Sequence, residues 1–102
     1  MTFARVATYS VQKDSIEELT RRVQETLVPL YKKQTGFQSL SVVDAGETVV
    51  SISHWDSGEH AQEGAQAAIG WAKEQGDLMD GSPQASYLGT EIVAVDSEAV
   101  PA

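Results

Sequence analysis

The stretch Val49–Glu59, VVSISHWDSGE, decides the reading of this chain. Val49, Ser51, Ser53 and Trp55 fall on one face and Val50, Ile52 and His54 on the other, the period of two that marks a strand. Asp56 followed by Glu59 has the spacing of a capping box, so a helix is expected to start where the strand stops. One strand end thus delivers a Trp, a His and a helix N-terminus to the same corner. That corner is where a small domain of this kind would bind something.

Outward from this corner, the same two periods alternate. Upstream, Asp44-Ala45-Gly46-Glu47 reads as a short turn joining Phe37–Val43 to the strand over 48–55, a hairpin with Gly supplying the positive φ. Before it, Ile16, Leu19, Val23, Leu27 and Leu30 recur at steps of three and four, predicting an amphipathic helix entered through Ser15/Glu18 or Asp14/Glu17 capping boxes. Pro29 is expected to kink or end that helix, and Gly36 to stop it. Phe3–Val11 alternates as a first strand.

Downstream, a second helix is expected from about Ser57 to Gln75, with the thin stripe Ala61, Ala65, Ala68, Ile69 and Ala72 and with Gly64 and Gly70 weakening it. So little apolar surface hints at a pocket beneath it. Asp77–Pro83 reads as a polar loop, Ser86–Val95 as a fourth strand, and residues 97–102 as a tail.

The order β-α-β-β-α-β predicts an α+β, ferredoxin-like fold: a four-stranded antiparallel sheet with two helices on one face, in a single domain over residues 2–96. Val49, Trp55, Phe3 and Tyr9 make one sheet face apolar, and Val50, Ile52, Val6 and Leu40 the other. Helices cover only one face, so the other is expected to meet the same face of a second copy, giving a homodimer.

Composition narrows the partners. Seven basic against fifteen acidic residues give a net charge of −8, and beyond residue 33 Lys73 stands alone against eleven acids. Nucleic acid and anionic membrane surfaces are therefore unexpected partners. The chain has no cysteine, no signal-peptide pattern and no apolar run of membrane-spanning length, so a cytoplasmic protein is expected. No nucleotide-binding or Ser-His-Asp motif is present.

The residues able to carry chemistry concentrate near the corner. Trp55 could stack on a flat aromatic molecule or donate its N–H, the alternative being a plug between sheet and helix. His54, across the sheet from Trp55, and His60, in the first turn of the second helix, are the candidate bases, with the helix N-terminus expected to lower the pKa of His60. Tyr9 is a candidate hydrogen-bond donor. Arg5, Ser51 and Ser53 share the Trp55 side and are candidate ligand contacts, Arg5 alternatively pairing with Glu91 across strands. Trp71 is a candidate lid or dimer contact. His54, Asp56, Glu59 and His60 could ligate a metal chemically, but their spacing matches no ligand motif, and no metal site is expected.

A first strand at the N-terminus, a first helix closing in Pro29 followed by Gly36-Phe37, and a third strand ending in Trp-x-Ser-x-Glu (Trp55, Ser57, Glu59) together resemble the antibiotic biosynthesis monooxygenase-like proteins, over residues 3–95. The resemblance implies a dimeric α/β barrel with a cleft between sheet and helices. In the family's oxygenases, phenols or anthrones are oxidised there without metal or flavin. It therefore implies no cofactor, a small planar aromatic ligand, and either cofactor-free oxygenation or, as the alternative, a binding or structural dimer without catalysis. Related members degrade haem with an Asn on the first strand and a Trp and a His on the second helix. Ala7, Gly64 and Glu74 stand near those positions here, so haem chemistry is not expected. Many members also place a His about nine residues after the Trp, where this chain has Gly64.

Overall fold

A computed structural model describes residues 2–95. The expected tail at 97–102 lies outside the described residues. The strands are β1 (Phe3–Ser10), β2 (Phe37–Asp44), β3 (Thr48–Trp55) and β4 (Ala85–Thr90), in an antiparallel sheet of order β2-β3-β1-β4. This is the ferredoxin-like arrangement that the element order implied.

Between β1 and β2 runs a helical rod in three segments: α1 (Ile16–Arg22), a π-helical segment (Val23–Leu27) and α2 (Val28–Lys32). A single helix, α3 (Gly58–Glu74), follows β3. Among the described residues no helix is long and apolar enough to cross a membrane.

Pro29 does not end the first helix; it changes its register. An α-helix would need an N–H at position 29 to reach the Glu25 carbonyl, and proline has none. The ladder widens just before it, with the Val28 N–H bonding the Val23 carbonyl five residues back. Pro29 then falls in the first turn of α2, where no N–H is required. The inward positions are Leu19, Val23, Leu27 and Tyr31, so the stripe ends on Tyr31 rather than on the half-buried Leu30.

Neither helix starts as its capping pattern suggested. Asp14 takes a left-handed φ of 63°, and the Ser15 hydroxyl turns inward to donate to the carbonyls of Gln12 (2.6 Å) and Leu78 (3.2 Å) instead of capping α1. At α3 the cap is Ser57, whose Oγ accepts the His60 N–H at 3.2 Å, leaving Asp56 free to engage the His60 ring.

The register confirms that Arg5, Tyr9, Val49, Ser53 and Trp55 share the helix-covered face. It corrects Leu40. A bulge between Phe37 and Ser39 turns Leu40 to the helix side opposite Ser53, while Ser39 lies across from His54 on the open face. The open face carries Val6, Val43, Val50, Ile52 and Tyr87; Tyr87 is 69% exposed and Val43 46%.

The segment Asp77–Pro83 is more than a polar loop. The Gln12 N–H donates to Leu78, and the Asp80 N–H to Ser10, extending the pairing of β1 and burying Met79 in the core beside its bridge partner Val11. Strand β4, expected to reach Val95, ends at Thr90. Beyond it the Glu91 N–H bonds the Thr2 carbonyl, and Ile92, Val93 and Val95 are exposed.

Candidate functional site

Between the sheet and the helices lie two cavities. The outer one, about 290 Å³, opens between α1 with its π segment and the β2–β3 edge, with Ile16, Thr20, Val28 and Leu40 in its walls. The inner one, about 30 Å³, lies deeper, among Arg5, Tyr9, Leu27, Tyr31, Ser51, Trp71 and Met79. Leu19, Val23, Val42 and Val49 line both, so the inner space is a small pit adjoining the outer cavity, whose walls also include Gln24 and Asp44. The π segment contributes Val23 and Leu27 to the wall, and such widened turns recur at functional sites.

The polar groups of the pit converge. Arg5 is 2% exposed, and its Nη2, the Tyr9 hydroxyl and the Tyr31 hydroxyl are buried without a hydrogen-bond partner among the described residues. Burial pushes the Tyr31 phenol above its ordinary pKa, with the nearby Arg5 charge pulling the other way. Glu91, considered as a partner for Arg5, pairs elsewhere, with His54.

Trp55 stands beside this pit, fully buried. Its Nε1–H donates to Ser53 Oγ at 2.9 Å, and its ring meets Tyr31 and Phe37 edge-on at centroid distances of 5.4 Å each. The chain of α3 passes directly over the indole at Gly64. A Cβ there would fall inside the van der Waals envelope of Cζ2 and Cη2 of Trp55. No side chain fits at 64 while Trp55 keeps this place, which is a physical reason for the glycine where a histidine was looked for.

Trp71, expected as a lid or dimer contact, points inward. It is 8% exposed, lines the pit, and donates its Nε1–H to Thr26 Oγ1 at 2.7 Å, while Thr26 donates to the Arg22 carbonyl. The inward face of α3 is therefore Ala61, Gly64, Ala68, Trp71 and Ala72, rotated from the expected stripe through Ala65 and Ile69. A second clamp joins the rod to the loop after α3. Arg22 grips Asp77 with both terminal nitrogens at 2.9 Å, holding its carboxyl below the usual range.

The two histidines stand away from the cavities, and neither lines them. His54 projects to the open face, where Nδ1 meets Ser39 Oγ and Nε2 meets Glu91 Oε2, both at 3.0 Å. His60 binds Asp56 through Nδ1 at 2.6 Å, the pair packing against Gly36. The Asp56 hydrogen bond raises the His60 pKa, opposite to the lowering expected from the helix N-terminus alone, and His60 lowers that of Asp56. Of the expected site residues, then, Arg5, Tyr9, Ser51 and Trp71 come together at the pit, Ser53 and Trp55 abut it, and His54 and His60 do not.

Sequence reasoning missed Tyr31 and Met79. Tyr31 was legible as the next step of four after Leu19, Val23 and Leu27. Met79 had no periodic signal, being placed by backbone pairing alone.

Comparison with known proteins agrees with this architecture. No curated protein matches the sequence. Similar solved structures include a protein of unknown function from Nitrosomonas europaea (TM-score 0.73, 14% identity, covering 99% of this chain and 95% of that one). A haem-degrading protein from Mycobacterium tuberculosis is also similar (TM-score 0.64, 17% identity, 94% of this chain and 100% of that one). A third is MupZ from Pseudomonas fluorescens (TM-score 0.70, 9% identity, 85% of this chain), of which this chain spans 66%. At these identities the likeness is one of fold. The family model for antibiotic biosynthesis monooxygenases matches residues 2–68, more than half of the sequence, and the chain belongs to that family.

Proposed function

We propose that this protein binds a planar aromatic metabolite between helices and sheet and oxidises it with molecular oxygen, the substrate supplying the electrons. The observation that carries this reading is the pair of adjoining cavities between helices and sheet, walled mainly by aliphatic side chains with Arg5, Tyr9, Ser51 and Trp71 among the residues around the smaller one, the composition of a small-molecule site. For an anthrone-type substrate, one oxygen atom becomes the new quinone carbonyl. The other leaves as water with the two hydrogens of the oxidised carbon, so the four electrons taken by oxygen come from the substrate. The chain's part is to orient the ring system and to stabilise the ionised oxygen that makes the substrate electron-rich.

In this reading Tyr9 remains the hydrogen-bond donor. Trp55 acts through packing, since its N–H is already bound to Ser53 and its ring is enclosed by Tyr31, Phe37 and Gly64. His54 and His60 take no part in the cavity chemistry.

The same proposal includes a cytoplasmic homodimer formed through the open sheet face. Val6, Val43, Val50, Ile52 and Tyr87 leave that face apolar, and a second copy would cover it with an identical patch. Sedimentation should show a dimer at micromolar concentration and a monomer for Ile52→Asp; a monomeric wild-type protein would sink this part.

Oxygen uptake by the metal-free, flavin-free protein with anthrones and hydroquinones tests the reaction. Saturable uptake that falls at least tenfold in Tyr9→Phe or Arg5→Met, about 1.4 kcal/mol of transition-state stabilisation, is the expected result. No uptake above the buffer rate, with ligand still binding, would favour the second reading, a non-catalytic binding dimer. That alternative is favoured by one observation, the absence of any histidine from the cavity walls.

A further inference from the structure

Resting on the reading of the open sheet face as the surface where two copies meet, we infer that this association is proton-linked: each copy brings His54 to the interface as an imidazolium paired with Glu91, and the dimer loosens as that proton is lost. The open face is nearly free of charge. Among the described residues whose side chains point to it, His54 on β3 and Glu91 just beyond β4 are the one base and the one acid, in a chain with seven basic and fifteen acidic residues. Two copies that each carry a net charge of −8 repel over most of their surface, so a face without unbalanced charge is where they meet at least cost. Val6, Val50 and Ile52 make the centre of that face apolar, and the His54–Glu91 pair stands at one end of it.

The pair belongs to a chain of hydrogen bonds. His54 Nε2 lies 3.0 Å from Glu91 Oε2, and Nδ1 lies 3.0 Å from Ser39 Oγ. The carboxylate only accepts, so Nε2 keeps its hydrogen in both charge states, while the Ser39 hydroxyl donates to a bare Nδ1 and accepts from a protonated one. Losing the proton therefore breaks no hydrogen bond. It changes the charge of the trio from zero to −1. On a free protomer water screens that change. Under a second copy it leaves a carboxylate without a counter-ion in each half of the interface, and a buried unbalanced charge is strongly destabilising. The dimer thus holds the proton more tightly than the protomer does, and by linkage the dissociation constant increases as pH rises through the range in which imidazoles titrate.

Among the described residues, no other ionisable side chain of the face competes for this proton. Ser39 on β2 and Ala4 on β1 stand beside His54, and Gly89 on β4 stands beside Ala4. The nearest acid in the sequence, Asp56, is bound to His60. The His54 and Glu91 side chains are 29% and 26% exposed, so a facing copy has surface left to cover. Access is clear as well: Ala4 carries only a methyl group, and a Cβ at Gly89 would meet nothing within 4 Å.

Sedimentation equilibrium at fixed ionic strength, from pH 6 to pH 8, tests the linkage. The wild-type Kd should rise at least about tenfold over that span, within the limit set by two protons per dimer. His54→Gln keeps a donor for Glu91 and an acceptor for Ser39 but does not titrate. Its Kd should change less than about threefold, the remainder belonging to overall charge and to His60, which both proteins share. Glu91→Gln should reverse the sign, its dimer being weaker at pH 6, where His54 carries an unpaired charge, than at pH 8. If the wild-type protein stays dimeric at nanomolar concentration at every pH, the same three proteins are compared in an Ile52→Ala background, which thins the centre of the face. A wild-type slope no steeper than that of His54→Gln, or a Glu91→Gln dimer that keeps the wild-type slope, would overturn the inference and leave the dimer standing. A monomer at every pH would remove the dimer and the inference together. Neither result bears on the oxygenase reading, whose cavities lie on the other side of the sheet.

Discussion

The helix–sheet interface has two ends built on opposite principles, and Tyr31 belongs to both. At the corner after β3, Trp55 is enclosed by Tyr31, Phe37 and Gly64, and its single polar atom is bonded to Ser53. Under the π segment, Arg5 Nη2 and the hydroxyls of Tyr9 and Tyr31 are buried without a hydrogen-bond partner among the described residues, beside a small cavity. The Tyr31 ring packs in the first and its oxygen sits in the second. The closed end secures the fold; the open end has capacity left over for a ligand. A sequence motif such as Trp-x-Ser-x-Glu therefore marks the scaffold of the site rather than its chemistry.

That contrast can be broken in order of effect. Trp55→Ala should destabilise by about 3–5 kcal/mol in denaturant titrations, the usual range for emptying a buried aromatic site. Gly64→Ala should follow at about 1–3 kcal/mol, because its methyl group and the indole claim the same volume. In a Trp55→Phe background the Gly64→Ala penalty should shrink, since the clashing ring atoms are gone; a penalty unchanged there would show that the glycine serves something other than the indole. At the open end, Tyr9→Phe should change stability by less than about 1 kcal/mol, since its hydroxyl makes no hydrogen bond to lose. A loss matching that of Trp55→Ala would erase the distinction between the ends.

The smallest expected effect lies outside both, at the Asp56–His60 pair. His60 has a raised folded pKa, so its contribution is fully present below its unfolded value, about pH 6.5, and is lost as pH rises through the folded value. On the acid side the contribution of Asp56 is lost as pH falls through its lowered pKa. The melting-temperature difference between wild type and His60→Ala should therefore narrow from about pH 6 toward alkaline pH, and a gap that widens would contradict the assignment.

The fold was legible because its determinants are periodic. Trp55 and Val49 share a face by simple alternation, and α3 begins within a residue or two of the expected place. What escaped depended on events that shift a period by one residue. The bulge before Ser39 moved Leu40 to the other face, and the π segment carried the helix past Pro29 to Tyr31, a step of four already present in the sequence. The capping reading failed at Ser15 because a distant carbonyl, that of Leu78, competed for the hydroxyl. For the site, the alternation that grouped Arg5, Tyr9, Ser51 and Ser53 was sound, but no local pattern could show that Glu91 would choose His54 and leave Arg5 unpaired.

The central claim is that ligand enters beside Trp71 and leaves the Trp55 corner alone. The chain has two tryptophans, so the indole region of a ¹⁵N–¹H spectrum holds one signal from each end. On titration with 1-hydroxy-2-naphthoate, the Trp71 indole N–H, held by Thr26 at the cavity wall, should shift in a saturable way, while the Trp55 N–H, locked to Ser53, should move little. A shift confined to Trp55, or no shift of either signal at millimolar ligand, would contradict the account.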